Sequence, residues 1–484
     1  MGKKAAIGTG LALAAITAIV VIATCKPLKT LVIAANDSYQ VGANYICTGV
    51  NDQEVIQAVI YELESLGGGR LLLRAGNYYL SPSLGAEYYL TTSGNITFEG
   101  EDMDNTTLWL ENNNIRGGIQ TEGWRWNPPY AIVSPIKFKN LTINCGSPQG
   151  FVHSGDGLRH FHPIEASVES LILDNVRIVA DNSTEVTTRV FLWHCKSIDY
   201  LNSIFDGVNS WMFSSPVGDH NPDHLTGEHC LVSRCLFTNT SAYHMPLGGG
   251  MKNFTVVDSE FRGCLHGTAI DVFISPGARI LRNTIVDCVG SAIYSEGGYD
   301  VQIKDNYIRN IEPGETGWGF GVFTADNLHI RSGGKVLIEN NDIDGCGIGI
   351  CSHGVPDVTI RNNTVRNTWG VGINLSWLSD NNEYYDGVPS YSDGCKVTDN
   401  KVTAFGTHKQ WSKGIQLCNV MDCLIEHNDI DGEDNPNASC GIFETRNEGT
   451  DLRVGCPDYN IIKGNTITGA AIPIKTVGEH TVVE

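Results

Sequence analysis

The sequence predicts an all-β chain wound into a solenoid, and a repeated phrase carries that expectation. Val336-Leu-Ile-Glu-Asn-Asn-Asp-Ile343 followed by Asp344-Gly-Cys-Gly-Ile-Gly-Ile350 returns 22 residues later as Val358-Thr-Ile-Arg-Asn-Asn-Thr-Val365 and Arg366-Asn-Thr-Trp-Gly-Val-Gly-Ile373. That offset is too short for a strand and helix together, but suits one coil of a few short strands. Each copy alternates apolar and polar residues in period two, turns at paired Asn, and turns again at Gly.

The same phrase decays along most of the chain. Its turn residue is marked by Asn140, Asn175, Ser203, Cys235, Ser259, Asn283, Asn306, Asn341, Asn363, Asn400, Asn428 and Asn465. These markers imply about twelve coils, with loops inserted where the spacing grows. Stacking puts like residues roughly 4.8 Å apart, so each Asn can bond the next Asn and the backbone of its bend. This resembles the asparagine ladder of the single-stranded right-handed parallel β-helix, the fold of the pectate-lyase-like superfamily. The resemblance covers residues 95–484 and implies fold only, because such helices serve as lyases, hydrolases, epimerases, tailspikes and non-catalytic surface proteins.

Before the coils, Lys3-Lys4 precede an uncharged apolar run from Ala5 to Ala23, then Thr24-Cys25. Residues 1–25 therefore read as an export signal or a membrane anchor, cleaved, lipidated at Cys25 or retained, which places the protein outside the cell or on its surface. Residues 26–94 read as an N-terminal cap. Asn51-Asp-Gln-Glu54 has the spacing of a capping box, and Val55, Ile56, Val59, Ile60, Leu63 and Leu66 lie on one face of an amphipathic helix that stops at Gly67-Gly-Gly69. Such a helix seals the first coil, whose bare end would otherwise pair with another chain.

The net charge of -21 opposes nucleic-acid binding and suits an extracellular medium. Fourteen cysteines follow Cys25. Cys264 and Cys288 occupy equivalent places in successive coils, as a disulfide or as stacked thiols; Cys230 with Cys235, Cys418 with Cys423, and Cys440 with Cys456 are further local pairs. The oligomeric state is not legible.

Of 14 His, nine lie between His153 and His266, close to Trp193 and Trp211. Aromatic faces bind sugar C–H surfaces while His, Arg and carboxylates handle hydroxyls and protons, so the middle coils are expected to hold a glycan site. Trp193, Trp211, Tyr243, Tyr294, Phe323 and His353 are the expected binding residues. Asp271 and Glu296, two residues out of register on adjacent coils, stand roughly 8 Å apart and suit inverting glycoside hydrolysis. Arg159, His162 and His244, with Tyr243 or Tyr294 as acid, suit lysis or epimerisation of a uronan. The insertion carrying Asp219, His220, Asp223 and His224 has the oxygen and imidazole ligands of a Ca²⁺ or transition-metal site, and equally the composition of ordinary turns. The expectation is an exported β-helix that binds a polysaccharide and cleaves or modifies it; the competing one is a non-catalytic adhesin or surface-layer rod.

Overall fold

The computed structural model describes residues 28–81, 86–111, 115–121, 132–148, 150–152, 159–181, 186–213, 227–240, 247–265, 267–314, 317, 319–326, 333–378, 390–407, 412–433, 435–446 and 457–484. Parallel strands stack coil on coil into a 29-stranded sheet, which carries two faces of the solenoid, and a 16-stranded sheet, which carries the third. The 16-stranded sheet has a main path of fourteen strands, from Tyr88–Thr92 to Ile472–Lys475. The coils are therefore somewhat more numerous than the Asn markers counted, because the first rungs lack the marker residue.

Alternation decides which side chains form the core. Ile270, Ile293, Val322, Ile350, Ile373, Ile415 and Ile442 pair rung to rung and are fully buried. Burying each such side chain contributes about 1.5 to 3 kcal/mol. Their chain neighbours consequently face the outside of the same sheet. Glycine opens these strands where coils converge: a Cβ on Gly349 would collide with Val365 Cγ1 and the Gly372 carbonyl.

The asparagine ladder is present. Asn341 donates from Nδ2 to the Ile303 carbonyl and to Asn363 Oδ1, and its own Oδ1 accepts from the Asn306 backbone N–H and Nδ2. The pattern runs from Asn283 to Asn465, and Ser259 and Ser203 continue it upstream by accepting the N–H of Cys235 and Val176. The residue before each ladder position is left-handed, as in Asp305, Asn340 and Asn362. Asn140 and Asn175 take that left-handed position instead, with φ of 52° and 57°. Two markers were thus one residue early: the ladder position there belongs to buried Leu141 and Val176.

Helix α1 spans Asp52–Ser65 and buries Ile56, Val59, Ile60 and Leu63. The capping box does not form. Asn51 is left-handed with no side-chain cap bond, and Asp52 instead accepts the N–H groups of Thr48, Gly49 and Tyr79, tying the helix start to the first coils. Leu66 lies past the helix end and is 53% exposed, outside the apolar face expected for it. Lys29–Ala34 and Gly69–Leu73 pair in parallel with each other, and Gly69–Leu73 pairs with Ile96–Gly100, so the strands around the cap continue the same sheet. The described cysteines are free thiols, nearly all buried, Cys264 and Cys288 among them. Among the described residues no helix is long and apolar enough to cross a membrane; residues 1–25 lie outside them.

Candidate functional site

The outer face of the 16-stranded sheet is organised in rows. One row runs through Phe191, Trp211, Gly248, Asp271, Tyr294, Phe323, Cys351, Asn374, Gln416, Phe443 and Lys475, each paired with the next. The sequence placed Trp211, Asp271, Tyr294 and Phe323 on this face, and the structure brings them into one line. A parallel row two residues on joins Phe273, Glu296, Ala325 and His353.

Asp271 and Glu296 stand as expected. Asp271 pairs with Tyr294, and Glu296 with Phe273, so the two carboxyls sit on adjoining rungs and two residues apart in register. Asp271 is 5% exposed, and its Oδ1 has no hydrogen-bond partner among the described residues. Burial, and then the charge of Glu296, push its carboxyl up to about 8. Tyr294 donates its hydroxyl to Glu296 Oε2 at 3.0 Å. Beyond it the Tyr294 ring stacks on Phe323 at 4.9 Å, Phe323 stacks on Phe320 at 4.6 Å, and His353 closes the group at 6.1 Å from Phe323. Burial lowers the His353 pKa, favouring the neutral ring. One protonated acid, one second carboxyl and an aromatic strip thus meet on two neighbouring rows.

A second polar cluster lies on the upstream rungs. His162 Nδ1 is 2.9 Å from Glu165 Oε2, and its Nε2 accepts from Arg189 Nε at 3.2 Å. Glu165, wholly buried, also pairs with Arg116 through two bonds of 3.0 and 2.7 Å and accepts the Tyr88 hydroxyl. Burial outweighs the neighbouring carboxylate and lowers His162 to about 4, so its ring is neutral at ordinary pH. Arg189 lies over Phe191 and Trp211 at 4.8 and 5.1 Å. The alternation expected of this strand is interrupted by a register shift between Phe161 and Glu165, which gives Glu165 the outward place next to Phe191. Glu165 and Arg189 were therefore missed. Arg189 was detectable in Arg189-Val-Phe-Leu-Trp193, where polar and aromatic residues alternate with aliphatic ones. Replacing Glu165 with Ala should cost about 3 kcal/mol, since it removes the wholly buried carboxylate that Arg116, His162 and Tyr88 share; urea midpoints check this.

Trp193 is buried beside Phe191, 5.8 Å away, on this same cluster. Arg159 is exposed at the strand start, three residues before His162, and the paired strands place it on rungs well upstream of Asp271. Tyr243, His244, Asp219, His220, Asp223 and His224 lie outside the described residues. Among the described residues no group of three His, Cys, Asp or Glu is placed to hold a metal.

A family pattern described as right handed beta helix region matches residues 223–328 and 323–404. No curated protein matches the chain by sequence. Among solved structures, the catalytic unit of a thermostable alpha-1,3-glucanase from Streptomyces thermodiastaticus is 13% identical with a TM-score of 0.50, covering 89% of this chain and 66% of that one. The A-module of a mannuronan C-5 epimerase from Azotobacter vinelandii is 16% identical with a TM-score of 0.45, covering 90% and 95%. A tailspike mutant of an E. coli bacteriophage, in complex with a pentasaccharide, is 13% identical with a TM-score of 0.47, covering 87% and 64%. The stacked parallel rungs, the asparagine ladder, the family pattern and the fold shared with the alpha-1,3-glucanase agree that the chain is a right-handed parallel β-helix.

Proposed function

We propose that this β-helix binds a polysaccharide along the outer face of its 16-stranded sheet and hydrolyses it between Asp271 and Glu296. The observation that carries the reading is Asp271: a buried carboxyl with an unpartnered oxygen, two residues out of register with a second carboxyl on the next rung. Rise and coil spacing put the pair roughly 8 Å apart, within the span of about 6.5 to 9.5 Å that leaves room for a water in an inverting reaction. Asp271, protonated below about 8, gives its proton to the glycosidic oxygen as the bond to the anomeric carbon breaks. Glu296 takes a proton from the water that forms the new bond at that carbon. Tyr294 orients Glu296 by its hydroxyl and, with Phe323, offers the aromatic surface on which a sugar ring rests.

The neighbouring folds lend the reading plausibility through their own ligands and reactions, which include an alpha-1,3-glucanase and a tailspike carrying a pentasaccharide. Export through residues 1–25 and a Ca²⁺ site on the segment from Asp219 to His224 belong to the same proposal. Both are tested by fractionating cells that express the whole chain and by assaying with and without Ca²⁺.

The decisive assay incubates the chain from about Lys26, which keeps the strand Lys29–Ala34, with neutral and anionic polysaccharides, following reducing ends and absorbance at ~235 nm together. New reducing ends without absorbance support hydrolysis; a rise in absorbance means β-elimination and moves the chemistry to another pair. Binding with neither signal favours the adhesin. The pH profile adds a prediction: because Asp271 must carry a proton, activity should fall as pH rises through about 8.

A further inference from the structure

The downstream end of the outer face carries a second constellation. Lys413 Nζ lies 4.9 Å and Lys475 Nζ 5.3 Å from the centre of the Phe443 ring. Lys413 donates to Ser439 Oγ, and neither lysine has a carboxylate partner among the described residues. On the same row, Gln416 is 6% exposed with an Oε1 that has no partner, and the half-buried Asn374 has an unpartnered Oδ1. In a chain of net charge -21, two ammonium groups flanking one ring without a counterion are out of keeping with the whole. Burial lowers the Lys413 pKa, Cys440 acts against it, and the charge of Lys475 lowers it further.

We infer that Lys413, Lys475, Phe443 and Gln416 form an anionic-sugar subsite, in which the ring supports a pyranose face, the lysines hold its carboxylate or sulfate, and the Gln416 and Asn374 oxygens accept hydroxyls. The inference rests on the proposed binding of a glycan along this face and names its class: an acidic polysaccharide. Gln416 lies five rungs from Asp271 along the paired row, roughly 24 Å at the coil spacing. One chain of several sugars can therefore reach both places, with the anion anchoring it and the carboxyl pair acting upstream.

The test measures binding of the chain from about Lys26 to polygalacturonate, which carries carboxylates alone, and to dextran sulfate, which carries sulfates alone, with dextran and laminarin as neutral probes, at low and high salt. Tighter binding of an acidic probe, weakened by salt and about tenfold by Lys475→Gln, supports the subsite. The sugar that responds separates a carboxylate from a sulfate. Lys475 is exposed, so its variant is expected to fold; Lys413→Met keeps the apolar stem and should add a similar loss, with melting curves as the control for both. Equal binding of acidic and neutral probes, or a Lys475→Gln variant that weakens both alike or neither, overturns the subsite while leaving glycan binding intact. No binding of any probe overturns the proposed function with it.

Discussion

Asp271→Asn should lower kcat by about 10² to 10⁴, with KM little changed, because the amide keeps the shape of the side chain and cannot give up a proton to the leaving oxygen. The same substitution should not harm the fold. In the native chain the carboxyl is buried, unpartnered at Oδ1 and raised to about 8 by burial and by Glu296. The sign follows: with a folded pKa above the unfolded one, the folded state holds more protons between about 4 and 8, so Asp271 makes the protein less stable as pH rises through that window. The variant escapes this, and its melting temperature should exceed the parent's by a margin that is near zero at pH 4 and widens toward pH 8. Loss of activity together with loss of fold at pH 5 would assign Asp271 a structural role.

Asn341→Ala should be among the most destabilising single changes in the chain, at about 3 to 5 kcal/mol. It removes two bonds that Asn341 donates and two that it accepts, all buried, and leaves the Ile303 carbonyl and the Asn306 N–H without those partners. Asn140→Ala offers the contrast. Its side chain accepts one partly buried bond from Asn175 Nδ2, and Ala tolerates the left-handed backbone there less well than Asn, so the cost should be about 1 to 2 kcal/mol. Urea midpoints of the two variants measure the difference. Equal costs would mean that the ladder contributes no more than an ordinary turn.

The solenoid was legible because its period is written in two codes at once: aliphatic alternation fixes the inward rows, and Asn fixes the bend. Where one code lapses, the reading slips. Leu141 and Val176 occupy ladder positions without a ladder residue, so the eye settles on Asn140 and Asn175 one step before. Trp211, Asp271, Tyr294 and Phe323 could be placed on the outward row because their strands alternate, whereas the rung of Gly248 between them could not, since Leu247–Gly250 is mostly glycine and shows no parity. The upstream rungs could not, because the shift between Phe161 and Glu165 reverses the parity. The sequence offers His162, with Arg159 and His244, as a cation or base for a uronan, whereas its environment is set by Glu165 and Arg189, which come from the bulge and from the neighbouring strand. The pair Asp271 and Glu296 needed only two adjacent coils in register. Phe443 and the two lysines around it come from three successive coils, and no local pattern announces them.

The proposed hydrolysis requires a carboxyl that keeps its proton at neutral pH beside a second carboxyl. Infrared difference spectra of the parent minus Asp271→Asn, taken across pH, isolate the carboxyl band of Asp271 without knowledge of the sugar. A protonated band that persists at pH 7 and disappears near 8 is expected. A band that is gone by about pH 5, the ordinary aspartate range, would contradict it.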